Sequence, residues 1–316
     1  MQPAKIAIVV PCYNEQEALP LSVKKLFEVL DRMTSEGLVT PDSFIMCCND
    51  GSKDSTWDII KSLHELDSRV KGISLTHNRG HQYALLAGLM TVRGKCDAAI
   101  SIDADLQDDP EAMVEMVRKF REGYEIVYGV RSSRASDTFF KRATAHAFYS
   151  MQKNLGLETI YDHADYRLMS DRALDLLSEY GESNLFLRGI IPQLGLRTTI
   201  VKYVRNERVA GESKYPLKKM LSFSIDGITS FSARPIRLIF FIGLLLLMID
   251  IAMAIYVFLS YFGHETVPGW TSLMLSVWFL GSLLLISIGI VGEYIGKIFV
   301  EVKSRPRYAI DEYLMD

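Results

Sequence analysis

Cysteine is sparse and unpatterned in this chain of 316 residues. The four are Cys12, Cys47, Cys48 and Cys96, and no C-x-x-C spacing occurs. That excludes a disulfide framework and a thiolate zinc site, leaving buried free thiols in a reducing compartment as the expectation. The N-terminus has no charged segment leading into a cleavable apolar stretch, so the first two-thirds of the chain are expected to stay in the compartment where they are made. Neither sign of charge is in excess. Thirty-five Lys and Arg against 38 Asp and Glu leave a formal net charge of −3, which gives no reason to expect nucleic acid as a partner. What the chain does have is apolar bulk: 49% of its residues are hydrophobic and the mean hydropathy is positive. The excess lies after residue 235, so a soluble part is followed by a membrane part.

Short β-rich runs at 6–10, 44–48, 70–75, 98–102 and 126–128 alternate with helical patterns at 18–33, 56–66, 82–92 and 110–120. In the last of these, Met113, Val114, Val117 and Phe120 recur at three- and four-residue spacing. Pro110 suits a first helical turn, with Asp108 and Asp109 just ahead of it. The alternation predicts an α/β fold with a doubly wound, mainly parallel sheet. Such sheets bind ligands outside the carboxyl ends of their strands. The clusters Tyr13-Asn14-Glu15, Asp50-Gly51-Ser52 and Asp103-Ala104-Asp105 each follow a strand, so they should converge on one crevice.

Residues 131–232 are less regular and rich in Arg and Lys. Within them, 214–231 reads as an interfacial amphipathic helix. Pro216 sits in its first turn, Leu217, Met220, Leu221, Ile225 and Ile228 form an apolar face, and Lys218 and Lys219 face headgroups. Two apolar runs follow, 236–262 (broken only by Asp250) and 270–290, each long enough to cross a hydrocarbon core of about 30 Å. The link between them lacks Lys and Arg. Arg234 and Arg237 precede the pair, and Lys297, Lys303, Arg305 and Arg307 follow it, so both outer ends are expected in the cytoplasm. The competing reading is a buried helical hairpin of a soluble protein. Asp250 is costly in lipid unless it meets a polar group such as Ser282 or Ser287, or a neighbouring subunit. The expected divisions are a catalytic domain at 1–212, the interfacial helix at 213–232, a transmembrane hairpin at 233–300 with helices near 236–262 and 270–292, and a cytoplasmic tail at 301–316.

Two carboxylates at i and i+2 past a buried strand, Asp103 and Asp105, can share one hard cation such as Mg²⁺ or Mn²⁺, which accepts phosphate oxygens as further ligands. A metal there would neutralise a diphosphate leaving group. By itself the pattern also marks a solvated turn, and its place at a strand end favours the metal. Asp50 suits ribose hydroxyls or a base N–H, whereas Asp54 opens a helix and reads as a cap. Tyr13, Asn14 and Glu15 could reach a nucleoside, although Glu15 could equally serve as a first-turn acid.

At these residues the chain resembles the family 2 glycosyltransferases of GT-A fold, and within them the polyprenyl-phosphate branch of bactoprenol glucosyltransferases and dolichyl-phosphate mannose synthases. The resemblance rests on Val9-Val10-Pro11-Cys12-Tyr13-Asn14-Glu15, Asn49-Asp50-Gly51-Ser52-Lys53-Asp54, Asn78-Arg79-Gly80 and Asp103-Ala104-Asp105-Leu106-Gln107. Gly211-Glu212-Ser213-Lys214-Tyr215, Gly292-Glu293-Tyr294-Ile295-Gly296 and Arg305-Pro306-Arg307-Tyr308 extend it over nearly the whole chain. It implies a UDP-sugar donor held by Pro11, Tyr13, Asn14, Glu15, Asp50, Asn78, Asp103 and Ala104. It also implies Mg²⁺ or Mn²⁺ at Asp103 and Asp105, with Gln107 as a further metal-shell residue. Asn49 departs from the family, which commonly has a second Asp there. No Gln-x-x-Arg-Trp occurs, which disfavours a processive polysaccharide synthase.

Tyr161-Asp162-His163-Ala164-Asp165-Tyr166-Arg167 resembles the acceptor-side motif, with Asp162 as first and Asp165 as second candidate to orient the acceptor. A phosphate monoester is already largely anionic near neutral pH, its second pKa being about 6, so no strong general base is required. Arg131, Arg134, Arg208 and Lys214 are candidates to bind the acceptor phosphate, with anionic headgroups as their alternative ligand. The implied reaction is inverting transfer of a sugar, glucose first, with GlcNAc, mannose or aminoarabinose as alternatives, to undecaprenyl or another polyprenyl phosphate. The implied setting is the bacterial inner membrane, as an integral protein in contact with lipids and as a possible homo-oligomer. Two rivals remain. A nucleotidyltransferase would want a Gly-rich loop where Pro11-Cys12-Tyr13-Asn14-Glu15 stands. A non-catalytic membrane scaffold would have no need of the Asp103 and Asp105 pair.

Overall fold

The computed structural model describes residues 2–131, 163–182, 185–204, 242–243, 245, 248, 251–252 and 269–315. Arg134, Asp162, Arg208, Lys214, Asp250, the expected interfacial helix and most of the first apolar run lie outside the described residues.

Eight strands form one sheet: β1 (Ile6–Cys12), β2 (Phe44–Asn49), β3 (Val70–Leu75), β4 (Ala98–Ser101), β5 (Ile126–Arg131), β6 (His163–Ser170), β7 (Thr198–Tyr203) and β8 (Ile310–Leu314), in the order β7-β5-β6-β4-β1-β2-β3-β8. β1 pairs in parallel with β2 and β4, β2 with β3, and β5 with β7, while β6 runs antiparallel to both β4 and β5. The described helices are α1 (Leu19–Ser35), α2 (Thr56–Leu66), α3 (His81–Val92), α4 (Ala112–Arg121), α5 (Asp171–Ser178), α6 (Leu187–Ile190) and α7 (Trp270–Val302).

Continuous apolar runs make the central strands, because both faces of the sheet are covered. On one face Ile6, Ile8 and Val10 enter a single core with Leu19, Val23, Leu26, Leu30 and Met33 of α1 and Met113, Met116 and Val117 of α4. The α1 residues recur every three or four positions, and burying each contributes about 1.5–3 kcal/mol. On the other face α3 approaches so closely that a Cβ on Gly88 would lie 2.3 Å from Cys48 Sγ and 2.5 Å from Val9 Cγ1. Only glycine fits there.

β1 continues through Pro11, where the sequence pattern ended it. Its pairing with β4 stops at Val9, and Cys12 O accepts from Asp50 N on the β2 side. Pro11 therefore turns its missing N–H toward a flank where no ladder bond is due. Three strands lie where no pattern was visible, β6, β7 and β8, and β7 pairs in parallel with β5 at one edge of the sheet. β6 inserts between β4 and β5, and β8 pairs antiparallel with β3 after the apolar helix.

The chain divides into two compact units, one holding the sheet with α1–α6 and the other holding α7. Helix α7 has 33 residues, about 50 Å at 1.5 Å per residue. Its segment Phe279–Val302 is long and apolar enough to cross a membrane, with none of that window buried. Leu284, Ile286, Ile288 and Ile295 are exposed, so α7 is not a core helix of the described fold. The expected helix over 270–292 thus runs ten residues further. The described residues contain one membrane-length helix and do not establish the two-helix hairpin.

The tail expected as a mere extension at 301–316 completes the sheet. Leu314 packs against Gly72, Thr76 N donates to Ala309 O at 3.0 Å, and Arg307 Nη1 donates to Tyr180 O at 2.6 Å. Deleting 306–316 should expose the β3 edge, lower Tm by about 5 °C and promote aggregation. Thermal unfolding with light scattering on the purified protein checks this; an unchanged Tm would contradict it.

Candidate active site

The ends of β1 and β2 are stitched to each other. Asn14 adopts a left-handed φ of 55°, donates from its N to Ser52 Oγ at 3.0 Å and accepts at Oδ1 from Lys53 N at 2.9 Å. Glu15 N donates to Thr56 Oγ1 at 2.9 Å. Asp54 accepts from Thr56 N at 3.1 Å, so it braces the start of α2 as a capping residue should. Asn49, where the family commonly has Asp, uses both ends of its amide. Nδ2 donates to Ser74 Oγ at 2.9 Å, and Oδ1 accepts from Ser52 N at 3.2 Å.

Asp50 is buried and accepts from Arg79 N at 2.7 Å and Gly80 N at 2.9 Å. Burial pushes its carboxyl up, against the pull of those two amides. Gly51 has φ +60°, and a Cβ there would lie 2.6 Å from Asn78 N. Asp50 and Gly51 thereby draw Asn78-Arg79-Gly80 over the strand ends. Tyr13, Asn14, Glu15, Asp50 and Asn78, expected on the donor side, come from loops that meet, and Asn14 and Asp50 hold those loops together.

Asp103 and Asp105 follow β4. Gln107 N donates to Asp105 Oδ1 at 3.1 Å, Ala104 O accepts from Ser22 Oγ, and Leu106 between them takes φ 53°, an unfavourable conformation for a bulky residue. His81, the first residue of α3, places Nε2 3.5 Å from Asp103 Oδ1 and 3.8 Å from Asp165 Oδ2. Asp165 reaches this point because β6 runs antiparallel to β4 with Ser101 opposite Arg167, so the start of β6 lies beside the end of β4. Arg188 of α6 grips Asp165 from Nε at 3.2 Å and Nη2 at 3.0 Å, and Arg167 Nη2 donates to its Oδ1. Leu187 N donates to Gln82 Oε1 at 2.9 Å, tying α6 to α3.

Two opposite electrostatic environments result. Burial would raise the Asp165 carboxyl, but the Arg188 and Arg167 guanidiniums outweigh it and hold the group well below the usual carboxylate range. Burial pushes Asp103 up; His81 opposes this, and the charges of Asp165, Asp108 and Asp105 add to it. Crowded, oxygen-only carboxylates of this kind suit a hard divalent cation. Among the described residues no three His, Cys, Asp or Glu side chains form a ready-made cage. Asp103, Asp105 and Gln107 supply oxygen atoms of the kind such an ion takes.

Arg131, expected to face an anion directly, is held at the end of β5 by Asp108, whose Oδ1 lies 3.3 Å from its Nη2. The Tyr203 hydroxyl donates to the same oxygen at 2.6 Å. Sequence reasoning assigns no site role to His81, Arg167, Arg188 or Tyr203, and it reads Asp108 only as an acid just ahead of a helix. His81, directly after Asn78-Arg79-Gly80, and Arg167, two residues after Asp165, carried a positional signal; Arg188 and Tyr203 carried none.

Residues 7–177 match the model of the family described as glycosyl transferase family 2. The chain is 51% identical over 306 residues to an uncharacterized glycosyltransferase, YkoT, of Bacillus subtilis, covering 97% of this chain and 91% of that protein. It is 40% identical over 309 residues to the bactoprenol glucosyl transferase of Shigella phage SfX, covering 97% and 98%. A mannosyltransferase from Pyrobaculum calidifontis in complex with GDP-Man and Mn²⁺ is similar at 14% identity and a TM-score of 0.44, over 95% of this chain and 86% of that one.

Replacing Asp165 by Asn should leave the buried Arg167 guanidinium without its counter-charge and destabilise the sheet unit by about 3 kcal/mol at neutral pH. Because the folded carboxyl is depressed, its stabilisation is full above the unfolded pKa of about 3.9 and is lost as pH falls further. Denaturant titrations of both proteins at pH 7 and in acid should show the gap narrowing only in acid.

Proposed function

The chain belongs to glycosyl transferase family 2, and on that footing we propose that it transfers glucose from UDP-glucose to the phosphate of a polyprenyl carrier, with inversion at the anomeric carbon. The observation that carries the reading is the convergence of Asp103 and Asp165 on His81 at the strand ends, with a guanidinium, Arg188, behind them. Full-length relatives named bactoprenol glucosyl transferase support the acceptor and the sugar.

In the reaction an acceptor phosphate oxygen attacks the anomeric carbon. The bond from that carbon to the diphosphate oxygen breaks, and its electron pair leaves with UDP. No proton need be taken from a phosphate already ionised at neutral pH, so a base is not required. Asp165, ion-paired on both sides, is suited to fixing Arg188 and His81 at the reacting centre, and Asp162, outside the described residues, would orient the acceptor. Asp103, Asp105 and Gln107 are the residues that would hold Mg²⁺ or Mn²⁺. When bound, such an ion supplies positive charge to the leaving diphosphate. Tyr13, Glu15, Asn78 and the loops held by Asp50 would take the nucleoside, and Arg131 the acceptor phosphate together with Arg134, Arg208 and Lys214. Helix α7 would span the membrane, with the sheet unit in the cytoplasm.

Incubating the purified protein with polyprenyl phosphate and a panel of UDP-sugars should yield a glucosylated lipid by mass spectrometry. A different hexose would revise the donor, and no lipid product from any donor would overturn the reading. Asp103→Ala and Asp105→Ala should each lower turnover by about 100-fold or more. EDTA should do the same to the wild type, reversibly on adding Mn²⁺; full activity in excess chelator would remove the metal from the scheme.

A further inference from the structure

Asp108 stands three residues beyond Asp105, and its side chain is only 3% exposed. Its Oδ1 accepts from two strands at once, from Tyr203 OH at the end of β7 at 2.6 Å and from Arg131 Nη2 at the end of β5 at 3.3 Å. The platform beneath is rigid. The Tyr166 ring meets the Tyr203 ring edge-on at 5.3 Å, and Tyr166 OH donates to Asp109 O at 3.0 Å. The loop that carries the two crevice carboxylates is thus bolted, through its next two residues, to three strands on the other side of β4. Arg131 itself is partly exposed, with 20% of its side chain open. A long side chain at a strand end has many rotamers, and fixing one costs conformational entropy unless a partner holds it beforehand.

We propose that Asp108 is a positioning residue of the transfer reaction, holding Arg131 in one orientation at the edge of the crevice so that its guanidinium meets the acceptor phosphate without reorganising. This rests on the reading of Arg131 as an acceptor-side residue. Tyr203 is the second half of the device: its hydroxyl shares the carboxylate oxygen with Arg131 and fixes where that oxygen points. A single buried carboxylate thereby links the loop of Asp103 and Asp105 to the residue that receives the second substrate.

The test uses the full-length protein with UDP-glucose and polyprenyl phosphate, and calorimetry with UDP and Mn²⁺. Asp108→Asn should raise the KM for polyprenyl phosphate about tenfold, as should Arg131→Ala, while the affinity for UDP stays within about twofold of wild type. The double variant should be no worse than Arg131→Ala alone, since both changes disable one unit. Tyr203→Phe, which keeps the ring and serves if Asp108→Asn fails to fold, should raise the same KM about threefold with UDP affinity unchanged. A parallel loss of UDP affinity in Asp108→Asn, or effects of Asp108→Asn and Arg131→Ala that multiply, would make the role merely structural and overturn the proposal. If Arg131→Ala raises the acceptor KM and neither Asp108→Asn nor Tyr203→Phe does, the positioning role alone fails. If Arg131→Ala leaves that KM unchanged, the acceptor-side reading of Arg131 falls and the proposal falls with it.

Discussion

The Asp165 carboxylate, held between the Arg167 and Arg188 guanidiniums, is the contact on which the geometry of the crevice depends. Arg167 is only 1% exposed, a depth at which an unpaired guanidinium would cost several kcal/mol. Its charge is tolerable only if a carboxylate lies within reach. The nearest one in sequence, two residues earlier on the same face of β6, is Asp165. Satisfying Arg167 therefore keeps the Asp165 side chain fixed at the start of β6. Because β6 is antiparallel to β4, that start lies beside Asp103. Arg188 then brings α6 to the same spot, and the bond from Leu187 N to Gln82 fixes α6 to the first turn of α3, next to His81. Segments from three parts of the chain are in this way registered by one anion.

The loops after β1, β2 and β3 are organised by hydrogen bonds and backbone shape. Asn14 in a left-handed conformation, Gly51 against Asn78, and Asp50 spanning two amides hold loops that would otherwise lose entropy on meeting a ligand. The unfavourable φ at Leu106 falls in the neighbouring loop, directly after Asp105. Strain of this kind persists only where the surroundings over-determine it, and the bonds from Ser22 to Ala104 O and from Gln107 N to Asp105 supply that constraint.

The parts legible in the sequence are those whose chemistry is written in apolar periodicity. β3 and α2 fall at the expected residues, and the other strands and helices expected before residue 132 shift by only a few positions. β6 was invisible because its buried positions include Asp165 and Arg167. A pattern that equates burial with apolarity misses a strand whose core is an ion pair. β8 was invisible for the opposite reason. It is a short edge strand reading Ile-Asp-Glu-Tyr-Leu, whose charges suit an edge facing water and whose pairing partner lies more than 200 residues earlier. Arg307, counted as a positive flank of the apolar run, instead donates to Tyr180 O. Among site residues the acids at strand ends were readable from their place after each strand. Arg188 sits in a helix of four residues with no pattern of its own. Asp108 looked like a helix-start acid because sequence cannot distinguish a carboxylate facing solvent from one turned beneath a tyrosine.

Four carboxylates gather where β4 ends, and the structure divides them by partner. Asp165 has two guanidiniums and Asp108 has one with a tyrosine hydroxyl, so both are neutralised by the chain itself. Asp103 meets a histidine and, among the described residues, no guanidinium. The like charges around it act in the direction that favours a proton or a metal on its oxygens. A site that must bring an anionic donor and an anionic acceptor together faces a conflict, since acids that attract a metal would repel both substrates if left uncompensated. Pairing Asp165 with Arg188 and Arg167, and Asp108 with Arg131 and Tyr203, removes much of their repulsion and fixes those side chains around the end of β4. The same four acids thus sit in different electrostatic settings within one stretch of the fold. The distinction among them is set by which strand end each one occupies and which arginine the sheet places beside it.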